Sequence, residues 1–161
     1  MTARGPTNRD ATLRELRRQK IGLTSSAFDL THGIYKPFKM DSLTDFGLSK
    51  KDIKIYKLKA PRSVSYEFGL MMVAGQHKGV MLRTLMHRAK FTPKLVVFVD
   101  DKQKNVDNVD AALTQIGVPV HAIRYSKEDR LIQAFKKSSK KKEIEAWKSL
   151  SKTLLPVVIK K

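Results

Sequence analysis

Two carboxylates stand side by side at Asp100 and Asp101, directly after the apolar run KLVVFV at 94–99. Carboxylates are hard oxygen donors, which Mg²⁺ takes together with phosphate oxygens and water. Two bare acids this close also repel, so one pKa should rise unless a cation intervenes. Lys78 offers such a cation, in the stretch GQHKGVMLRTLM between Gly75 and Gly79. Thr24 and Ser25 follow the short segment KIGL and offer two hydroxyls to phosphate oxygens. A hydroxyl, an ammonium and an acidic pair gathered at one place would suit a phosphate beside a magnesium ion. The expected phosphate-binding set is Thr24, Ser25 and Lys78; the expected metal set is Asp100 and Asp101. Each residue also has a plainer role. An Asp after a strand is often the N-cap of the next helix. Thr-Ser-Ser is often a turn, and Lys78 is one of 33 basic residues. His32, His77, His87 and His121 form no helical pair at metal-ligand spacing and are read as structural. Met71, Met72, Met81 and Met86 read as core filler.

Such groups meet only if strand ends and helix starts converge. Residues 11–19 read as a helix with Leu13 and Leu16 on one face, with Thr12 as its cap and Glu15 at capping-box spacing. A short strand is expected at 20–23, then a loop at 27–39 broken by Gly33 and Pro37. Residues 42–48 suggest a short helix closed near Gly47. Ile53, Ile55 and Leu58 alternate with Lys54 and Lys57 and suggest a half-exposed strand. Further strands are expected at 69–73, 94–99 and 118–123, the second apolar throughout and so buried on both faces. Helices are expected at 78–90, 105–116 (ended by Gly117) and 128–136. Strands alternating with helices predict right-handed βαβ crossovers and a parallel sheet. The expected class is therefore α/β with a Rossmann-like core, whose ligands gather at the carboxyl ends of the strands.

The 161 residues suit one domain, and 41% hydrophobic content supports a buried core. The absence of cysteine excludes a disulfide scaffold, a thiol nucleophile and a thiolate zinc site. No apolar run reaches the roughly 20 residues that span a bilayer. Residues 1–18 lack the apolar segment of a secretory signal, which suggests a cytoplasmic protein if the chain is complete as given. The net charge of +18 favours polyanions, either nucleic acid or an anionic surface. From Lys136 to Lys161 there are nine Lys and two Glu, around an amphipathic helix carrying Ile144, Trp147 and Leu150. Its plain reading is a solvated basic face with Trp147 anchored on the core. Its functional reading is a tether to an anionic surface. The expected layout is a flexible N-terminus at 1–10, an α/β core at 11–135 and a basic tail at 136–161.

In this order the pieces resemble the later part of a haloacid-dehalogenase-like (HAD-like) phosphohydrolase, over roughly Leu13 to Phe135. The second motif of that superfamily is a strand ending in Thr or Ser, matched here by KIGLT and Thr24. The third is a lysine at a helix start, matched by Lys78; the fourth is a buried strand ending in acids, matched by LVVFVDD with Asp100 and Asp101. The chain is similar to a family of uncharacterised, mainly bacterial members with a Lys-Gly helix and a VDD-x-x-x-N stretch. The resemblance implies a phosphatase with a magnesium cofactor, a phosphorylated small-molecule substrate, and Thr24 and Lys78 in catalytic positions.

One departure limits that implication. The first motif of the superfamily, Asp-x-Asp, supplies the nucleophile and the acid–base group. Nothing upstream of Thr24 matches it. Asp10 has no apolar strand before it, and Asp29 has only a faint Asp-x-Thr echo. Without it there is no covalent step, and Asp100 and Asp101 would hold Mg²⁺ weakly. The expectation is a truncated or degenerate phosphohydrolase domain, incomplete at its N-terminus, with a residual phosphate site and little or no activity. A basic noncatalytic module for nucleic acid or another anionic partner is the alternative. A third reading is a subunit whose sheet is completed by a partner chain beside Val96 and Phe98.

Overall fold

The computed structural model describes residues 1–28 and 40–158. The expected loop at 27–39, with Asp29, Gly33 and Pro37, therefore lies almost wholly outside the described residues. The protein is a mixed α/β chain in two compact units, Met1–Arg124 and Tyr125–Lys161. The first unit thus ends before the helix expected at 128–136, which falls in the second.

The first unit opens on a 3-10 turn, Pro6–Asn8, followed by α1 (Arg9–Arg18). Thr12 is not its cap. Asn8 holds that position, while the Thr12 hydroxyl donates to the Asn8 carbonyl and accepts from Arg4. The strand expected at 20–23 does not form, because its amides serve to end the helix. Lys20 is left-handed (φ 56°), and the Ile21 amide folds back 2.9 Å onto the Leu16 carbonyl. A 3-10 turn, Thr24–Ser26, follows. The helix expected at 42–48 is a run of turns instead, closed as expected by Gly47, whose φ is 99°.

The strand expected around Ile53–Leu58 is a helix, α2 (Lys50–Ile55). Ser49 and Asp52 close a full capping box, and this local signal overrides the alternating pattern. The Ser49 hydroxyl and amide both donate to the Asp52 carboxylate, which holds its pKa below the usual carboxylate value. β1 (Ser65–Glu67) and β2 (Leu70–Met72) form an antiparallel hairpin. Its two-residue loop, Phe68-Gly69, has positive φ at both positions, as a type I′ turn requires.

The first ten residues, expected to be flexible, are hydrogen-bonded to this hairpin. Thr2 pairs in parallel with Met72, donating to the Met71 carbonyl at 2.9 Å and accepting from Val73 at 3.0 Å. Arg9, 3% exposed, reaches under the hairpin and donates to the Ser65 hydroxyl and the Leu70 carbonyl, both at 2.9 Å. Burial pulls its pKa down, against the opposing charges of Glu67 and Asp10. Replacing Arg9 with methionine keeps the apolar stem but strips donors from buried acceptors. We expect a loss of about 2 kcal/mol in urea unfolding; an unchanged midpoint would show that the clamp carries no weight.

α3 (Lys78–Arg88) leads into β3 (Val96–Asp100), α4 (Gln103–Thr114) and β4 (Val120–Arg124). β3 and β4 pair in parallel from Val96↔Val120 to Asp100↔Arg124, with α4 as the crossover. This is the expected βαβ unit. The larger parallel sheet is not formed among the described residues, since each sheet has two strands. β3 is also not buried on both faces. Val96 and Phe98 pack inward, while Val97 (62% exposed) and Val99 (55%) face out.

α3 is the shared wall of two apolar clusters. Val80, Met81 and Leu85 join Phe46, Val64 and Val73, while Met86 joins Val109, Leu113 and Val118. Burying each such side chain contributes roughly 1.5–3 kcal/mol. Met71, Met72, Met81 and Met86 are all buried, as core filler should be. The second unit holds α5 (Asp129–Lys137) and α6 (Lys141–Val158). Trp147 on α6 is 68% exposed.

Candidate functional site

Five consecutive residues, from the β2–α3 connection into the first turn of α3, each have a separate task. Gly75 turns the chain with φ 74°. Gln76 is buried and pins the neighbouring loop. Its amide oxygen accepts from the Lys59 amide, and its nitrogen donates to the Lys59 carbonyl, both at 2.8 Å. His77 is the N-cap of α3, accepting from the Val80 amide through Nδ1 at 3.3 Å. An accepting Nδ1 must be unprotonated, and burial pulls the His77 pKa down, with Lys104 adding to the effect. Lys78 points into the protein. Gly79 lets α3 approach α4: a Cβ there would lie 2.1 Å from the Asn108 carbonyl oxygen.

The approach of α3 to α4 sets Lys78 against the end of β3. Its ammonium ion-pairs with Asp100 Oδ2, and both residues are 7% exposed. The other oxygen, Oδ1, accepts from the Lys102 amide at 3.0 Å and from Asn105 Nδ2 at 2.8 Å. Lys78 also lies 5.9 Å from the ring centroid of Phe98, a cation–π distance. Burial by itself pushes the Asp100 pKa up. The hydrogen bonds from Lys78, Asn105 and Lys102, with the Lys78 charge, outweigh it and leave the pKa below the usual value. The Met1 α-amine lies within electrostatic reach of both members of the pair. Burial pulls its pKa down, Lys78 adds to that, and Asp100 opposes.

Of the five residues expected at the site, the structure joins Lys78 and Asp100. Asp101 is exposed. The cation that the adjacent acids needed is present, and it partners Asp100. Asp100 also takes up part of the plain capping role, through the Lys102 amide at the head of α4. Thr24 and Ser25 are exposed on their 3-10 turn. Among the described residues, no hydrogen bond or ion pair links them to Lys78 or Asp100. Both Asp100 oxygens are engaged, and no group of three metal-ligating side chains occurs among the described residues. A separate groove of about 520 Å³ runs along the other end of α3, lined by Tyr56, Arg83, His87, Lys90, Phe91 and Ile116 among others.

A family model described as "Protein of unknown function (DUF2608)" matches residues 1–156. The chain belongs to the DUF2608 family. No curated protein and no solved structure matches it. The DUF2608 match runs through both compact units, from the N-terminal segment on the hairpin into the last turns of α6. No helix among the described residues is long and apolar enough to cross a membrane.

Sequence reading missed Arg9 and Gln76. Both do their work through partners distant in sequence, mostly backbone groups, which no local pattern marks. Asn105 entered only through the VDD-x-x-x-N stretch. Its place in the first turn of α4, five residues beyond Asp100, is what lets it reach back to the carboxylate.

Proposed function

We propose that this DUF2608 chain is a phosphate-recognising domain of HAD-like, Rossmann-like descent. It binds phosphorylated small molecules at the carboxyl end of β3 and has little or no turnover of its own. The observation that carries the reading is the buried Lys78–Asp100 pair at the end of a parallel strand. Lys78 is the cationic anchor. Asp100, held by Asn105 and the Lys102 amide, is a positioning residue that fixes the ammonium. The exposed carboxylate of Asp101 and the hydroxyls of Thr24 and Ser25 complete the set proposed from the sequence. An Asp-x-Asp nucleophile has no counterpart among the described residues: Asp10 is exposed on α1, and Asp29 lies outside them. Because Asp100 already neutralises Lys78, a phosphate must compete for the ammonium or share it. Affinity should therefore be modest.

The test is titration with inorganic phosphate and a generic phosphomonoester in 0.5 M chloride, which suppresses diffuse binding to the +18 surface. The titration is run with and without Mg²⁺, alongside a turnover assay. We expect saturable binding that weakens about tenfold or more in Lys78→Met, a loss of about 1.4 kcal/mol. Lys78→Met paired with Asp100→Leu serves as the folded control. No saturable binding, or binding indifferent to Lys78, would end the phosphate reading. Turnover abolished by Asp101→Asn would show an active hydrolase instead.

A further inference from the structure

The second unit carries an apolar stripe that its described residues leave exposed. On α6, Ile144, Trp147, Leu150 and Leu154 recur at steps of three, three and four residues, and so share one face. All four are exposed, as are Leu131 and Phe135, one turn apart on α5. Around them the sequence is strongly basic. From Tyr125 onward there are eleven Lys or Arg against four Asp or Glu. On α6 itself Lys141, Lys148 and Lys152 share a flank, and the four lysines of the helix outnumber Glu143 and Glu145. The helix has 18 residues and is about 27 Å long.

We propose that α6, assisted by α5, lies in the plane of an anionic lipid surface. The stripe enters the boundary between headgroups and acyl chains, and the flanking lysines extend to the lipid phosphates. Two features favour lipid over nucleic acid. A phosphate backbone is met by charge, and although a single Trp could stack on a base, a row of exposed Ile and Leu in line with it has no partner on a nucleic acid. A bilayer interface uses both, with tryptophan at the boundary and lysine stems reaching outward. The stripe also argues against a merely solvated basic face, because exposed apolar residues in register are costly unless something covers them. The site is separate from the Lys78–Asp100 pair and does not depend on the phosphate reading.

Trp147 is the chain's single tryptophan and so reports on the stripe directly. The experiment titrates the full chain with vesicles of phosphatidylcholine alone, and of phosphatidylcholine with 30% phosphatidylglycerol, following Trp147 emission and sedimentation. We expect a blue shift and co-sedimentation with the anionic vesicles, at least tenfold stronger than with neutral ones and weakened by 0.5 M salt. Leu150→Glu should abolish the shift. Replacing Lys141, Lys148 and Lys152 with glutamine should reduce binding without moving the thermal midpoint of the protein. Three outcomes would overturn the proposal. One is an unchanged emission with anionic vesicles. Another is an equal shift with duplex DNA. The third is a shift that depends on protein concentration alone, which would assign the stripe to a second copy of the chain.

Discussion

Asp100→Ala should destabilise the protein by about 3–5 kcal/mol at neutral pH, the largest effect expected of any single substitution here. The loss arises less from the missing attraction than from what remains. Lys78 is 7% exposed, so removing its partner leaves an ammonium in an apolar wall. Asn105 and the Lys102 amide lose their acceptor at the same time. Two controls separate these causes. Asp100→Asn keeps an acceptor for Asn105 and Lys102 and removes the charge, so it should recover only part of the loss. Lys78→Met with Asp100→Leu removes both charges at similar volume and should come close to the parent, since a buried ion pair often does no better than a well-packed apolar one.

The pH dependence of the same pair follows from its sign. The Asp100 pKa is lower in the folded chain than its ordinary value of 3.8. The unfolded chain therefore takes up the proton first as pH falls. The stabilisation is present above the ordinary value and is lost as pH drops through the folded one. The gap between parent and Asp100→Ala in urea unfolding should be constant near neutrality and close in the acid range. A gap below about 1 kcal/mol at pH 7 would mean that the pair is hydrated in solution, and the candidate site would lose its rigid anchor.

The second half of the first unit was legible from sequence because its signals are local and agree with one another. Gly117 ends α4, Pro119 precedes β4, and KLVVFV has no helical period. The first half misled because its signals conflict. Ile53 to Leu58 alternates like a strand, yet Ser49 and Asp52 fix a helix start just before it. KIGL looks extended by composition, but the chain reverses there through a left-handed lysine, a conformation that residue type does not announce. The outward face of β3 was misjudged for another reason. An all-apolar strand suggests cover on both sides, and only the packing shows that α3 and α4 supply it on one. At the site, the types and order of Lys78 and Asp100 foretold a meeting. The engagement of both carboxylate oxygens was not readable, because it depends on where the first turn of α4 directs Asn105.

That meeting depends in turn on Gly79, and Gly79→Ala carries the second large effect. A methyl group there would lie 2.1 Å from the Asn108 carbonyl oxygen and 2.6 Å from the Ala112 Cβ. The first obstacle is helix backbone, which cannot rotate away, so α3 and α4 must separate. Alanine is the better helix former by up to about 1 kcal/mol, which would favour the substitution at an exposed position. Overpacking a buried contact costs about 1–3 kcal/mol and occasionally more. A backbone clash at this distance belongs at the upper end, so a net loss of about 2–3 kcal/mol is expected in chemical denaturation. Adding Ala112→Gly should restore only a small part, because it clears the side chain and leaves the carbonyl in place. The separation should also draw Lys78 away from the carboxyl end of β3, so the proposed phosphate binding there should weaken along with stability even though Gly79 touches no ligand. If Gly79→Ala instead left the protein as stable as before, the two helices would not be in backbone contact in solution, and the close approach that delivers Lys78 to the end of β3 would have to be abandoned.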